Sequence, residues 1–158
     1  MKIYTAARYA RIDEMKEVKK VLEMEGHTVT ARWVDGDEEG KSLEAIALLD
    51  WEDVIKADMV LVFTDPKGTS WTGGGRHTEL GMGYALKKHV WIVGEKEQVF
   101  HSLPGVKQFS SLGAVVGALS VFKPEVSMFD NVRSMELRPT DRIVKTKDKL
   151  KAFLESYI

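Results

Sequence analysis

Residues 59–93 read MVLVFTDPKGTSWTGGGRHTELGMGYALKKHVWIV. Two short runs, 59–63 and 90–93, are apolar at every position, as strands buried on both faces of a parallel sheet are. Between them lie a long polar loop, residues 64–75, and a segment in which Glu79 is followed by Leu80, Tyr84 and Ala85 on one helical face. Parallel strands cannot be joined by a tight turn, so strand, helix, strand is the unit this stretch predicts.

The same unit repeats outward. Residues 2–6 predict a first strand, and Ile12, Met15, Val18, Val21 and Leu22 recur at helical spacing up to Gly26, a natural helix stop. Residues 27–33 alternate, with Val29, Ala31 and Trp33 set against Thr28, Thr30 and Arg32, which predicts a second strand. Ser42 predicts the N-cap of a helix running to about Ala57. The order βαβαβαβ with short links predicts an α/β fold, doubly wound in the Rossmann-like or flavodoxin-like manner, mostly parallel, with helices on both faces. Ligands of such sheets gather at the carboxyl ends of the strands, where the loops after Tyr4, over 64–75 and over 95–104 emerge.

Beyond Val106 the pattern thins. Residues 111–119 are small and apolar, a strand is expected at 142–145, and a last helix from about 147 to 157. Residues 121–141 are open between an insertion, a lid and an oligomerisation arm within a single domain spanning 1–158.

Composition narrows the function classes. The chain has 158 residues, 44% of them hydrophobic and 30% charged, which suits an ordinary globular domain with its own core. With 23 basic and 24 acidic residues the formal net charge is −1, so no overall field draws it to polymeric nucleic acid or a membrane surface. There is no cysteine, which excludes disulfides, thiolate catalysis and thiolate-held metal. The four histidines lack metal-ligand spacing, so neither a metal nor a cofactor is expected. The opening MKIYTAARY enters a strand with no apolar leader, and no stretch is long enough to span a bilayer, so the cytoplasm is the expected location.

Two features carry chemistry. Gly73, Gly74 and Gly75 are costly to order, so they predict a backbone that approaches a ligand closely or turns through positive φ. Their amides feed a helix N-terminus, which favours an anionic group, with Glu79 one turn further on. Along the second helix, Leu43, Ile46, Ala47 and Val54 project to one stripe with Asp50 in its middle. An acid on a core-facing stripe must be paired, hydrogen-bonded, neutral or facing a cavity. A partner such as Arg8 or Arg32 is the structural alternative to a site role. Burial would raise the pKa of Asp50 and make it a proton donor near pH 7, and two carboxylates with separate jobs are the usual solution to cleaving a glycosidic bond.

The segments KIYTAARY, EGHTVTARWVDGD, AD before MVLVFTDP, GGGRHTELGMGYAL and VWIVG with VFHSLPGV together resemble the nucleoside 2-deoxyribosyltransferase-like superfamily. That group includes nucleoside deoxyribosyltransferases and 2'-deoxynucleoside 5'-monophosphate N-hydrolases, and the likeness covers the first two thirds of the chain. The resemblance implies that Glu79 is the nucleophile at C1' of deoxyribose, that Asp50, eight residues before Asp58, handles the base or its proton, and that Tyr4 orients the nucleophile. It implies a homodimer or larger assembly acting on a nucleoside or nucleotide. At Gly73 the transferases carry an acid and the monophosphate hydrolases a serine; its absence removes a repulsive neighbour for a phosphate on Arg76 and the glycine loop.

Other residues near the expected site are Arg8, a candidate for phosphate; Asp65, for a sugar hydroxyl or a turn before Pro66; His101, for a ligand contact; and Trp71, for stacking. Two further readings compete. One is a nucleotide sensor or regulatory module without turnover. The other is a phosphoribohydrolase of the lysine-decarboxylase-like type, whose PGGxGTxxE segment GGGRHTE partly matches.

Overall fold

The computed structural model describes residues 1–66, 68–69 and 74–123. Five strands form one sheet: β1 (Lys2–Ala6), β2 (Thr28–Val29), β3 (Met59–Phe63), β4 (His89–Val93) and β5 (Lys107–Phe109). All pairs are parallel, in the order β2-β1-β3-β4-β5. Helices α1 (Ile12–Met24), α2 (Leu43–Lys56) and α3 (Gly75–Ala85) make the successive crossovers, and α4 (Leu112–Val121) follows β5. The doubly wound parallel sheet is therefore as expected, in its flavodoxin-like order.

The register explains where the helices sit. Tyr4, Val60 and Val90 lie side by side across β1, β3 and β4. Their face is covered by α2 and α3, and α3 comes in close because Gly83 has no side chain: a Cβ there would lie 2.5 Å from Val60 Cγ2. The next row, Thr5, Leu61 and Trp91, includes Trp91, which packs against Phe109 and Phe122 with ring centroids 4.7 and 5.1 Å apart. Every residue of β3 is buried, which is what its unbroken apolar run requires.

Two expectations change. The second strand is only Thr28–Val29; after it the chain enters a 3-10 turn, Arg32–Asp35, that buries the consecutive residues Trp33 and Val34, and alternation cannot describe two neighbours buried together. The α2 stripe is also different: Leu43 is 86% exposed and Ala47 is exposed, while Asp53 and Val54 are the buried positions. Gly81, two residues before Gly83 on the same helix, is under no such constraint: an added Cβ there would meet nothing within 4 Å. The short strand β5 was not foreseen, since its three residues, KQF, carry no apolar run.

The described residues belong to one compact unit, Met1–Lys123. The strand at 142–145, the helix at 147–157 and residues 124–141 lie outside the described residues. No helix among the described residues is long and apolar enough to cross a membrane.

Candidate active site

Three elements converge at the switch point between β1 and β3. Tyr4 comes from β1, Asp50 from the middle of α2 and Glu79 from the second turn of α3. The Tyr4 hydroxyl lies 2.7 Å from Glu79 Oε1 and 3.0 Å from Asp50 Oδ1. A phenol has one proton, so it donates to one carboxylate only; the other must carry a proton of its own and donate to the phenol oxygen. The geometry thus asks for a proton shared within the pair.

Electrostatics agree. Burial raises the Glu79 carboxyl to about 8, with the nearby Asp50 adding to the rise and the Tyr4 hydrogen bond opposing it. Burial also raises Asp50, against the Tyr4 hydrogen bond and Arg32. Tyr4 itself is fully buried, and burial with two acids beside it pushes its hydroxyl well above the ordinary tyrosine value, so it stays a neutral donor. Asp50 was expected to be the resting acid of the pair. The larger rise is on Glu79, which α3 holds deeper.

Arg32 does not neutralise Asp50. Its Nε lies 2.8 and 3.0 Å from the two oxygens of Asp53, whose carboxylate also accepts from the Arg32 backbone N–H at 2.9 Å. The arginine partner that the sequence offered to Asp50 is taken by the buried acid one turn later. Asp50 is left to Tyr4.

A cavity of about 360 Å³ opens over these groups, a volume typical of small-molecule sites. Asp50, Glu79 and Glu38 supply carboxylates to its wall, Trp33, Tyr9 and Ile46 its apolar surface, and Arg8, Arg76 and Gly75 a cationic end. Trp33 is fixed by its indole N–H donating to Thr5 O at 3.0 Å, and Tyr9 lies 6.3 Å from it, ring to ring. Neither Glu38 nor Trp33 was expected at the site: Trp33 was read as the end of an alternating strand, and Glu38 lies in a turn that no periodicity marks.

The cationic end is a network. Arg76 is 4% exposed and bonds Glu97 with two nitrogens, Nε at 3.0 Å and Nη2 at 2.8 Å, while Nη2 also lies 3.0 Å from Asp65 Oδ2. Arg8 Nε lies 2.8 Å from the same Asp65 oxygen. Asp65 is thus an ion-pair partner of three arginines, Arg8, Arg76 and, at 3.7 Å, Arg11, and it is not on the cavity wall. Gly74 caps α3 and Gly75 begins it; a Cβ on either would meet nothing within 4 Å, and Gly74 has φ of −109°. Neither protein packing nor positive φ accounts for Gly74. Gly73 and Trp71 lie outside the described residues.

His101, expected as a ligand contact, is fully buried. Its Nδ1 accepts from the Glu97 backbone N–H at 3.3 Å, so its proton sits on Nε2, which faces His77 Nδ1 at 3.3 Å. His77, His101 and Glu97 present donor atoms within 4.8 Å of one another, close enough for a cation. The tautomer works against one, since a metal-bound Nε2 would put the His101 proton on Nδ1, facing the Glu97 N–H. Burial, then the His77 charge, lowers His101 to about 4.

No family model and no curated protein matches this sequence. Solved structures do. A 2-deoxyribosyltransferase from Bacillus psychrosaccharolyticus superposes with a TM-score of 0.60 at 23% identity, over 80% of this chain and 100% of that one. The fold is that of the 2-deoxyribosyltransferases. A CMP N-glycosidase from Clostridium botulinum shares this fold at a TM-score of 0.53 and 15% identity, over 77% of this chain and 100% of that one. So does a 2-deoxyribosyltransferase from Leishmania mexicana, at 0.50 and 15%, over 70% of this chain and 75% of that one. Within the 2-deoxyribosyltransferase fold, ligands belong at the carboxyl ends of the strands, where the cavity lies.

Proposed function

We propose that the protein cleaves or transfers the N-glycosidic bond of 2'-deoxynucleosides or their 5'-monophosphates through a covalent deoxyribosyl ester on Glu79. The observation that carries this reading is the Tyr4 hydroxyl held between two carboxylates, 2.7 Å from Glu79 and 3.0 Å from Asp50. Catalysis needs Glu79 ionised and Asp50 protonated. The bridge supplies that state in one concerted shift: the Glu79 acid gives its proton to the Tyr4 oxygen as Tyr4 gives its own to Asp50 Oδ1. The Glu79 carboxylate then attacks C1', the C1'–N bond breaks with its electron pair passing to the base, and Asp50 protonates the leaving nitrogen. Water, deprotonated by Asp50, or a second base then attacks C1' and frees Glu79, so the configuration at C1' is retained overall.

The cavity's two ends support a substrate laid along it. The carboxylates of Glu38 and Asp50 suit the polar edge of a base, Tyr9 and Trp33 its apolar faces, and Arg8 and Arg76 suit a 5'-phosphate. Glycines at 74 and 75 that no packing requires suit backbone approached by that anion. The fold neighbours that act on deoxyribosyl groups and on CMP support the same chemistry.

The reading includes a homodimer formed through α2. Leu48, Trp51 and Ile55 lie on one outward face, 56%, 39% and 44% exposed. Packed antiparallel against a second copy about an axis between Leu48 and Trp51, this face brings Glu44 of one helix toward Lys56 of the other. The surface is thus self-complementary in charge.

The test is free-base release from a panel of deoxynucleosides and their 5'-monophosphates, with and without an acceptor base. Turnover abolished in Glu79→Gln supports the assignment, and no turnover of any member by the wild type overturns it. Base exchange without net hydrolysis selects the transferase. Saturable binding with no product selects a nucleotide sensor.

A further inference from the structure

Arg76 is a buried guanidinium on the cavity wall, and its orientation is decided by Glu97, on the loop after β4. Glu97 accepts three hydrogen bonds, two of them from Arg76. Its Oε1 accepts from Arg76 Nη2 and from the Asp65 backbone N–H, both at 2.8 Å, and its Oε2 accepts from Arg76 Nε at 3.0 Å. A two-point grip of this kind fixes the plane of the guanidinium as well as its position. The nitrogen left over on Arg76 is Nη1. On Arg8, Nε pairs with the Asp65 carboxylate at 2.8 Å by charge, without hydrogen-bond geometry, and the two terminal nitrogens enter no ion pair or hydrogen bond among the described residues.

Behind Glu97 stands the histidine pair. The Glu97 backbone N–H donates to His101 Nδ1, His101 Nε2 faces His77 Nδ1 at 3.3 Å, and His77 Nε2 lies 3.6 Å from Glu97 Oε2. Each imidazole is neutral near pH 7, since burial lowers both. The pair therefore holds the Glu97 backbone through His101 Nδ1 and stands beside its carboxylate, His77 Nε2 at 3.6 Å, without adding a second cation that would compete with Arg76.

We propose that Glu97 is a positioning residue for anion capture: backed by His77 and His101, it locks Arg76 so that Nη1 joins the terminal nitrogens of Arg8 as a receptor for a phosphate group. The inference rests on the proposed substrate only for what the phosphate is attached to. The receptor itself would take a phosphate monoester or the free ion.

Calorimetric titration tests it with two probes, inorganic phosphate and a panel of 2'-deoxynucleoside 5'-monophosphates, against the matching nucleosides. In Glu97→Gln, which keeps the shape but loses the charge, affinity for both phosphorylated probes should fall by about tenfold or more, the scale of one charge-assisted bond. The preference for monophosphate over nucleoside should fall by the same factor. His77→Gln, which leaves the Arg76–Glu97 grip in place, should lower phosphate affinity about threefold, and it serves as the reading if Glu97→Gln does not fold.

Unchanged phosphate affinity in the variants, an equal loss for nucleosides and monophosphates, or no phosphate binding by the wild type would each overturn the proposal. Anion binding with the expected loss but no base release would sink the N-glycosidic reading and leave this one standing. Base release with anion affinity indifferent to Glu97 would do the reverse.

Discussion

The Tyr4 hydroxyl is 2.7 Å from Glu79 Oε1, and that bond opposes the burial that raises the Glu79 carboxyl to about 8. Tyr4→Phe removes the opposing bond and the path to Asp50 together. The variant should fold, since the ring stays in place. Its base-release rate should fall about 10² to 10³-fold, the range of a lost acid–base or charge-stabilising contact. The limb of the pH–rate profile that reports ionisation of the nucleophile should move to higher pH. A uniform fall in rate with an unmoved profile would leave Tyr4 as a packing residue.

Glu79→Gln should be inactive and yet more stable than the wild type in alkali. The folded-state pKa of Glu79 is raised, to about 8 from an unfolded value near 4.5. Its contribution to stability is therefore full below about pH 4.5 and is lost as pH rises through about 8. Glutamine copies the neutral acid and does not titrate. Thermal melts from pH 4 to 9 should coincide at the acid end and separate progressively above about pH 4.5, the variant reaching its full lead of about 2 kcal/mol above about pH 8 once relaxation around the charged site is allowed for. A variant less stable than the wild type at every pH would contradict a buried, proton-holding Glu79.

Gly81 and Gly83 look alike in the sequence and should respond in opposite directions. Gly81→Ala fills open space on a helix and should stabilise by about 0.5–1 kcal/mol. Gly83→Ala drives a Cβ to 2.5 Å from Val60 Cγ2, beneath which lies the β3 backbone, and should cost about 1–3 kcal/mol. Denaturant melts with unchanged m-values would read both. Equal effects would mean that α3 does not pack on β3 as closely as described.

That pair also marks how far sequence reaches here. β3 and β4 were legible because a strand covered on both faces tolerates few polar residues, and an unbroken apolar run has few other uses. Asp50 was legible as an acid among apolar neighbours, although two members of the stripe that pointed to it, Leu43 and Ala47, face outward. Apolar residues lie on three sides of α2, so projection alone could not separate the core face from a surface face. Glu38 and Glu97 reach the site region from turns and loops, where position depends on where the strands end rather than on any repeat. His101 illustrates the converse: a histidine expected to contact a ligand is fully buried, with Glu97 and His77 partnering both its ring nitrogens.

The outward face of α2 supplies the last prediction. Leu48, Trp51 and Ile55 follow one another at helical spacing, and nothing among the described residues covers them fully. If two copies pair antiparallel through this face, Trp51 lies near the twofold axis and is buried twice over. Trp51→Glu should then convert a dimer to a monomer in sedimentation analysis at micromolar concentration, because two carboxylates would meet at the axis. The wild-type tryptophan emission should shift to the blue with rising concentration, and that of the variant should not. Charge reversal gives a second check: Glu44→Lys should weaken the dimer, and adding Lys56→Glu should restore it by exchanging the two ends of each pair. A monomeric wild type, or a dimer indifferent to both changes, would assign this face to another partner.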